Sequence, residues 1–146
     1  MKRFALVSCG KLKLATPAPA KELYRSTLFK KARAFAETHY DGWFILSARH
    51  GALLPDTMVA PYEEKLSPSR AEEWATQVVR VLVRQLPPGS RIDFFGGGAY
   101  EGVARKLEEL GHPVHRPLEG LQVGERLRWY KQREHRTSGS WSEITN

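Results

Sequence analysis

The stretch Phe4-Ala5-Leu6-Val7-Ser8-Cys9-Gly10-Lys11 decides how this chain folds. Four apolar residues in a row stop at a polar, glycine-containing corner. An unbroken run this short has the length of a strand, and its lack of alternation predicts burial on both faces. The same signature returns three times further on. Trp43-Phe44-Ile45-Leu46 ends at Ser47-Ala48-Arg49-His50-Gly51. Ile92-Asp93-Phe94-Phe95 ends at Gly96-Gly97-Gly98-Ala99-Tyr100. A weaker run, Pro113-Val114-His115-Arg116-Pro117-Leu118, ends at Glu119-Gly120.

Helical periodicity fills the gaps between these runs. Over 22–39, Tyr24, Leu28, Ala32 and Phe35 recur three or four apart and predict one apolar stripe. After a long loop through Pro55 and Pro61, Ser69-Arg70-Ala71-Glu72 has capping-box spacing, and Ser67-Pro68 offers another cap with proline at the first helical position. Ala75, Val78, Val79, Leu82, Val83 and Leu86 then share a face, and Pro87-Pro88-Gly89 ends the helix. Val103, Leu107 and Leu110 mark a third helix closed by Gly111, and 124–133 reads as a fourth. The alternation predicts a single α/β domain over 1–136, with a mostly parallel central sheet of about four strands and helices on both faces. Residues 137–146 lack periodicity and read as a mobile tail. Strand order is not legible at this level.

The chain has 146 residues, the usual size of one domain, and a domain this long needs no disulfide or metal staple. Its one cysteine, Cys9, excludes an intrachain disulfide and a cysteine-rich zinc site. The apolar run at the start is too short for a signal peptide, and no stretch is long enough to span a membrane, so the expected location is the cytoplasm. A net charge of +7 favours polyanions: DNA or a nucleotide is the expected partner. Oligomeric state is not legible.

In a parallel sheet the carboxyl ends of the strands share one edge, where ligands bind and helix amino termini present free amides. Four sequence-distant segments should therefore converge. Ser8, Cys9, Gly10, Lys11 and Lys13 follow the first strand; the lysines read as phosphate contacts or as solvated loop residues. Cys9 reads as a small buried hydrophobe more naturally than as a nucleophile. Ser47, Arg49 and His50 follow the second strand. His50 is the leading catalytic candidate, able to donate to a developing anion. Asp56 is a possible general base, or equally a turn aspartate, and Tyr62 stacks on a ligand or packs internally. Gly96, Gly97 and Gly98 permit close backbone approach, with Tyr100 beside them. Glu119 is placed to meet a ribose hydroxyl. Arg126 and Arg128 are candidate nucleic-acid backbone contacts, or solvated neighbours of core aromatics. Neither the dinucleotide glycine spacing nor a P-loop is present, so no cofactor is expected. The five histidines and one cysteine have no metal-ligand spacing, so no metal is expected.

Several motifs together carry a resemblance. They are Val7 to Lys13, Glu22-Leu23-Tyr24-Arg25-Ser26-Thr27-Leu28-Phe29, Ile45 to Gly51, Pro61-Tyr62 and Pro117-Leu118-Glu119-Gly120-Leu121. Across nearly all of residues 3–131 the chain resembles a group of small bacterial and phage domains of unknown function, with Arg49 in place of that group's lysine. The group is itself distantly similar, at the level of fold, to the uracil-DNA glycosylase superfamily. That likeness implies an α/β fold with a catalytic carboxylate and a histidine on strand-end loops. The Gly-x-Asp-Pro-Tyr and His-Pro-Ser motifs of the uracil enzymes are absent, so neither uracil specificity nor a role for Asp56 carries over. The expected function is a nucleotide- or nucleic-acid-directed enzyme, of the type that hydrolyses the N-glycosidic bond of a modified or damaged base. The alternatives are a non-catalytic nucleic-acid-binding module and a small-nucleotide sensor or hydrolase.

Overall fold

The computed structural model describes the backbone of residues 1–143 and the side chains of 1–134. The tail expected over 137–146 lies outside the described side chains, and 144–146 outside the described backbone. In chain order the elements are β1 (Arg3–Ser8), β2 (Ala18–Pro19), α1 (Ala20–Leu23), α2 (Thr27–His39), β3 (Gly42–Ser47), β4 (Gly51–Leu53), β5 (Met58–Val59), α3 (Pro68–Gln85), β6 (Arg91–Phe95), α4 (Glu101–Glu109), β7 (Val114–His115) and α5 (Val123–Glu143). A 3-10 turn at Gly98–Tyr100 leads into α4.

The central sheet has five strands in the order β4-β3-β1-β6-β7. β1 runs parallel to β3 and β6, and β6 parallel to β7. The additional strand is β4, which folds back antiparallel on β3 at the edge. Its Gly51-Ala52-Leu53 segment is too short to show a period, so its pairing comes from tertiary contact alone. β2 and β5 make a separate antiparallel pair. The predicted fourth strand is reduced to Val114 and His115.

Both faces of the sheet are covered, which is why its strands read as unbroken apolar runs. Ala5, Val7, Ile45 and Phe95 pack with Phe29, Ala32 and Tyr130, from α2 and α5. Leu6, Phe44, Ile92 and Phe94 pack on the other face with Val78, Leu82 and Leu107, from α3 and α4. Successive strand residues thus alternate between two cores.

Two local readings change and one holds. The helix predicted over 22–39 breaks at Tyr24, whose backbone is extended. Ser26 then caps α2 by accepting from the Phe29 amide at 3.2 Å, and the buried stripe becomes Phe29, Ala32 and Ala36. At α3 the Ser67-Pro68 start holds, with Pro68 in the first turn and no side-chain capping bond, while the capping box does not form. Gly111, with φ +94, occupies the left-handed position that closes α4.

Candidate functional site

Chain connections from β1 and β3 leave toward opposite sides of the sheet, so the strand order reverses between β1 and β6. A crevice opens at such a switch point. Here Ser8, Cys9 and Gly10 face Gly96, Gly97 and Gly98 across a cavity of about 350 Å³, closed further by Phe95, Tyr100, Leu118, Arg126 and Tyr130. A second cavity, of about 530 Å³, shares Cys9, Gly10, Ala99 and Tyr100 with the first. It adds Lys11, Lys13, Glu63, Glu64, Lys65 and Leu66. The two form one cleft that straddles the end of β1.

The glycines of this cleft are glycine for different reasons. A Cβ on Gly10 would lie 2.7 Å from the Ser26 hydroxyl, against the cap of α2. One on Gly96 would lie 2.6 Å from the Phe94 ring. At Gly97 and Gly98 a Cβ would meet no atom within 4 Å, and neither residue has positive φ. Packing therefore accounts for Gly10 and Gly96, and neither packing nor backbone conformation accounts for Gly97 and Gly98. Arg126 reaches in from α5 and is clamped by the carbonyls of Leu121 (Nε, 2.9 Å) and Gly96 (Nη1, 3.3 Å).

Beneath the cleft lies a buried chain of hydroxyls that sequence reasoning missed. Tyr62 bonds Ser47 at 2.6 Å and Tyr24 at 2.5 Å. The Ser47 hydroxyl also accepts from the amides of His50 (3.1 Å) and Arg49 (3.3 Å), and its carbonyl accepts from the Trp74 indole at 3.0 Å. Cys9 Sγ lies 3.7 Å from the Tyr100 hydroxyl and 4.0 Å from that of Tyr62. Lys13 sits 4.6 Å over the Tyr62 ring and donates to the Lys11 carbonyl at 3.1 Å. Burial raises the Tyr62 and Tyr100 phenols, with the neighbouring Cys9 next in effect for both, so each stays protonated. The missed member is Tyr24. Helical spacing placed it on a stripe, whereas the Ser26 cap that follows it was the available sign that the helix starts later.

Other predicted residues lie apart from the switch point. Arg49 and His50 are exposed in the β3–β4 turn. His50 packs edge-on against Tyr62, ring centres 5.2 Å apart, in a shallow depression with Pro61 and Glu63. Glu63 borders both this depression and the lysine-lined cavity. Asp56 is 82% exposed and paired with Lys21 at 2.7 Å. It lines none of these cavities and is not brought together with His50. Glu119 is exposed in the turn whose Leu118 lines the switch-point cavity. Arg128 is exposed on α5, while Tyr130 is buried in the core. The four strand-end segments thus meet one edge but not one cavity: the ends of β1, β6 and β7 share the crevice, and the end of β3 lies behind Tyr62.

Partial burial and the Arg49 guanidinium hold His50 below its ordinary value of 6.5, with Glu64 opposing. A proton-binding group whose folded value is lowered is protonated first in the unfolded chain. Its contribution to stability is complete above pH 6.5 and is lost as pH falls through the folded value. An NMR titration of the His50 ring should give a midpoint below 6.5, moved upward by Arg49→Ala and further down by Glu64→Gln. A midpoint unmoved by both substitutions would sink this assignment.

The fold and site define an open, doubly wound α/β domain with a basic cleft at its switch point. The chain belongs to the family of unknown function DUF6884, whose sequence profile matches residues 4–132. It is also 39% identical over 66 residues to the uncharacterized protein YfjM of Bacillus subtilis (strain 168), a match covering 41% of this chain and 44% of that relative. The match thus spans less than half the length of the relative. No solved structure matches the chain. No helix among the described residues is long and apolar enough to cross a membrane. Among them no three His, Cys, Asp or Glu side chains gather as a metal site would require.

Proposed function

We propose that this chain is a nucleotide- or nucleic-acid-directed enzyme that hydrolyses an N-glycosidic bond to a modified or damaged base. The observation that carries this reading is the lysine-lined cavity at the end of β1. It sets three cations, Lys11, Lys13 and Lys65, an aromatic ring, Tyr100, and two carboxylates, Glu63 and Glu64, around one space. Cations meet phosphates, a ring supports a base, and a carboxylate stabilises a sugar cation or activates water. His50 lines the neighbouring depression that Glu63 also borders, and its lowered pKa leaves it a neutral N–H donor available to the departing base. In this reading Glu63 replaces Asp56 as the carboxylate. The bond from sugar carbon to base nitrogen breaks with its electron pair on the base. Water supplies the new C–O bond, and the proton it loses passes to Glu63 and from there to the departing base, which restores the carboxylate. The distant fold likeness to the uracil-DNA glycosylase superfamily, noted in the sequence, points to the same reaction class as analogy only.

The test is base release from a panel of modified-base duplexes and free nucleotides, read by mass spectrometry and by alkali cleavage at abasic sites. Release should fall about 100-fold or more in His50→Ala and in Glu63→Gln while binding persists. The net charge of +7 equally suits a nucleic-acid-binding module without turnover. That alternative predicts no release from any substrate, with affinity falling stepwise as lysines are removed and steeply with salt.

A further inference from the structure

We infer that the switch-point cavity is a phosphate subsite, and that the ligand of the cleft is a nucleotide that places its phosphate there, such as a nucleoside monophosphate or a phosphorylated strand end. This rests on the nucleotide reading above and names its substrate class. Three independent features of the cavity ask for an anion. Arg126 is half-buried, held by two carbonyls, and has no carboxylate partner among the described residues. Carbonyls fix a guanidinium without neutralising it, so its charge remains to be met by a ligand. Tyr130, 1% exposed, lines the same cavity, and its hydroxyl has no hydrogen-bond partner. A buried hydroxyl left unpaired is costly, and an acceptor placed in the cavity removes that cost. Burial raises the phenol and the nearby Arg126 opposes that shift, so the group is a protonated donor close to the cation.

The third feature is the loop that enters α4. No side chain caps the 3-10 turn or α4, and Gly97 and Gly98 leave open space where any other residue would carry a Cβ. The Tyr100 and Glu101 amides are bonded back within the turn, to the carbonyls of Gly97 and Gly98, and it is the unobstructed backbone of Gly97 and Gly98 that suits close approach by phosphate oxygens. The far wall consists of core residues, Phe29, Phe95 and Leu118 among them. A phosphate entering here has the core behind it and the lysine-lined cavity beside it, the two sharing Cys9, Gly10, Ala99 and Tyr100, so its ester arm leads into that cavity. The rest of the nucleotide then occupies the site where the base–sugar bond is to be cut.

Isothermal titration with inorganic phosphate, AMP, dAMP and adenosine tests this on the intact chain. Both monophosphates should bind at least about 10-fold more tightly than adenosine, the scale of a charge-assisted hydrogen bond. Arg126→Ala should erase that advantage, and Tyr130→Phe should reduce it. Because Arg126 also ties α5 to the end of β6, Gly97→Leu is the second variant. Its Cβ meets no atom within 4 Å and its side chain adds bulk beside the cavity, so it should abolish phosphate binding with an unchanged melting temperature. Equal affinity for AMP and adenosine would overturn the subsite and leave the nucleotide reading standing. Phosphate binding undiminished in both Arg126→Ala and Gly97→Leu would also overturn it. Phosphate binding lost in both variants, with no gain from the nucleoside portion, would uphold the subsite and overturn the nucleotide reading.

Discussion

Asp93→Ala should destabilise the fold by about 3 kcal/mol, the lower end of the range for breaking a buried ion pair. The Asp93 side chain is 3% exposed in the middle of β6. It accepts from the Tyr40 hydroxyl at 2.5 Å and from Arg91 Nε at 3.2 Å, and it lies 3.6 Å from Arg3 Nη2. Removing it leaves a phenol without its acceptor and two guanidiniums without their shared counter-charge. The two arginine side chains are 43% and 42% exposed, so they can turn to water, which keeps the cost below the upper end. Asp93→Asn retains the volume and one acceptor for Tyr40 and should lose roughly half as much. Urea unfolding monitored by circular dichroism measures both. Equal losses from Ala and Asn would mean that charge alone matters, and a loss below about 1 kcal/mol from Ala would show that the cluster is not coupled to folding.

The second large effect is expected at Tyr62→Phe, about 1–3 kcal/mol from hydrogen bonding alone. Tyr62 joins Ser47 to Tyr24, and both of these are fully buried. Its loss leaves the Tyr24 hydroxyl without this partner and takes one of three from the Ser47 hydroxyl, which keeps the amides of His50 and Arg49, whereas Tyr24→Phe breaks a single bond and should cost less. Once Tyr62 is phenylalanine, changing Tyr24 as well should add little, because its hydroxyl already lacks a partner. The double-mutant cycle should therefore show clear non-additivity. Strict additivity would refute a connected network. Tyr62 also anchors the segment carrying Glu63 through Leu66 against the ends of β1 and β3, so ligand affinity in the lysine-lined cavity should fall with stability.

Asp93 and Tyr62 also mark the limits of reading the chain as a string. An aspartate inside Ile92-Asp93-Phe94-Phe95 is visible as an oddity, and burial obliges it to be paired. Its partners are not visible, since Arg3 and Tyr40 are brought beside it by the pairing of β1 with β6 and by the turn after α2. Tyr62 could be read as a stacking residue or as a packing one. Its edge-on contact with His50 and the cation over its ring place it between the two roles, as the wall that separates them.

Local chemistry by itself determined that four apolar runs end in polar, glycine-marked corners, and that helices connect them. Buried parallel strands must be apolar on both faces and must stop where polar backbone can meet water or a ligand, so their ends are written into composition. Only the tertiary structure decided which ends are neighbours. Strand order follows from how helices pack on the two faces, a choice made by contacts far apart in sequence. That choice set Gly97 opposite Cys9, drew Arg126 and Tyr130 in from α5, and left Asp56 on the surface with Lys21. The corner Ser8-Cys9-Gly10 thus announced one wall of a cleft, and the reversal of strand order between β1 and β6 determined what else lines it.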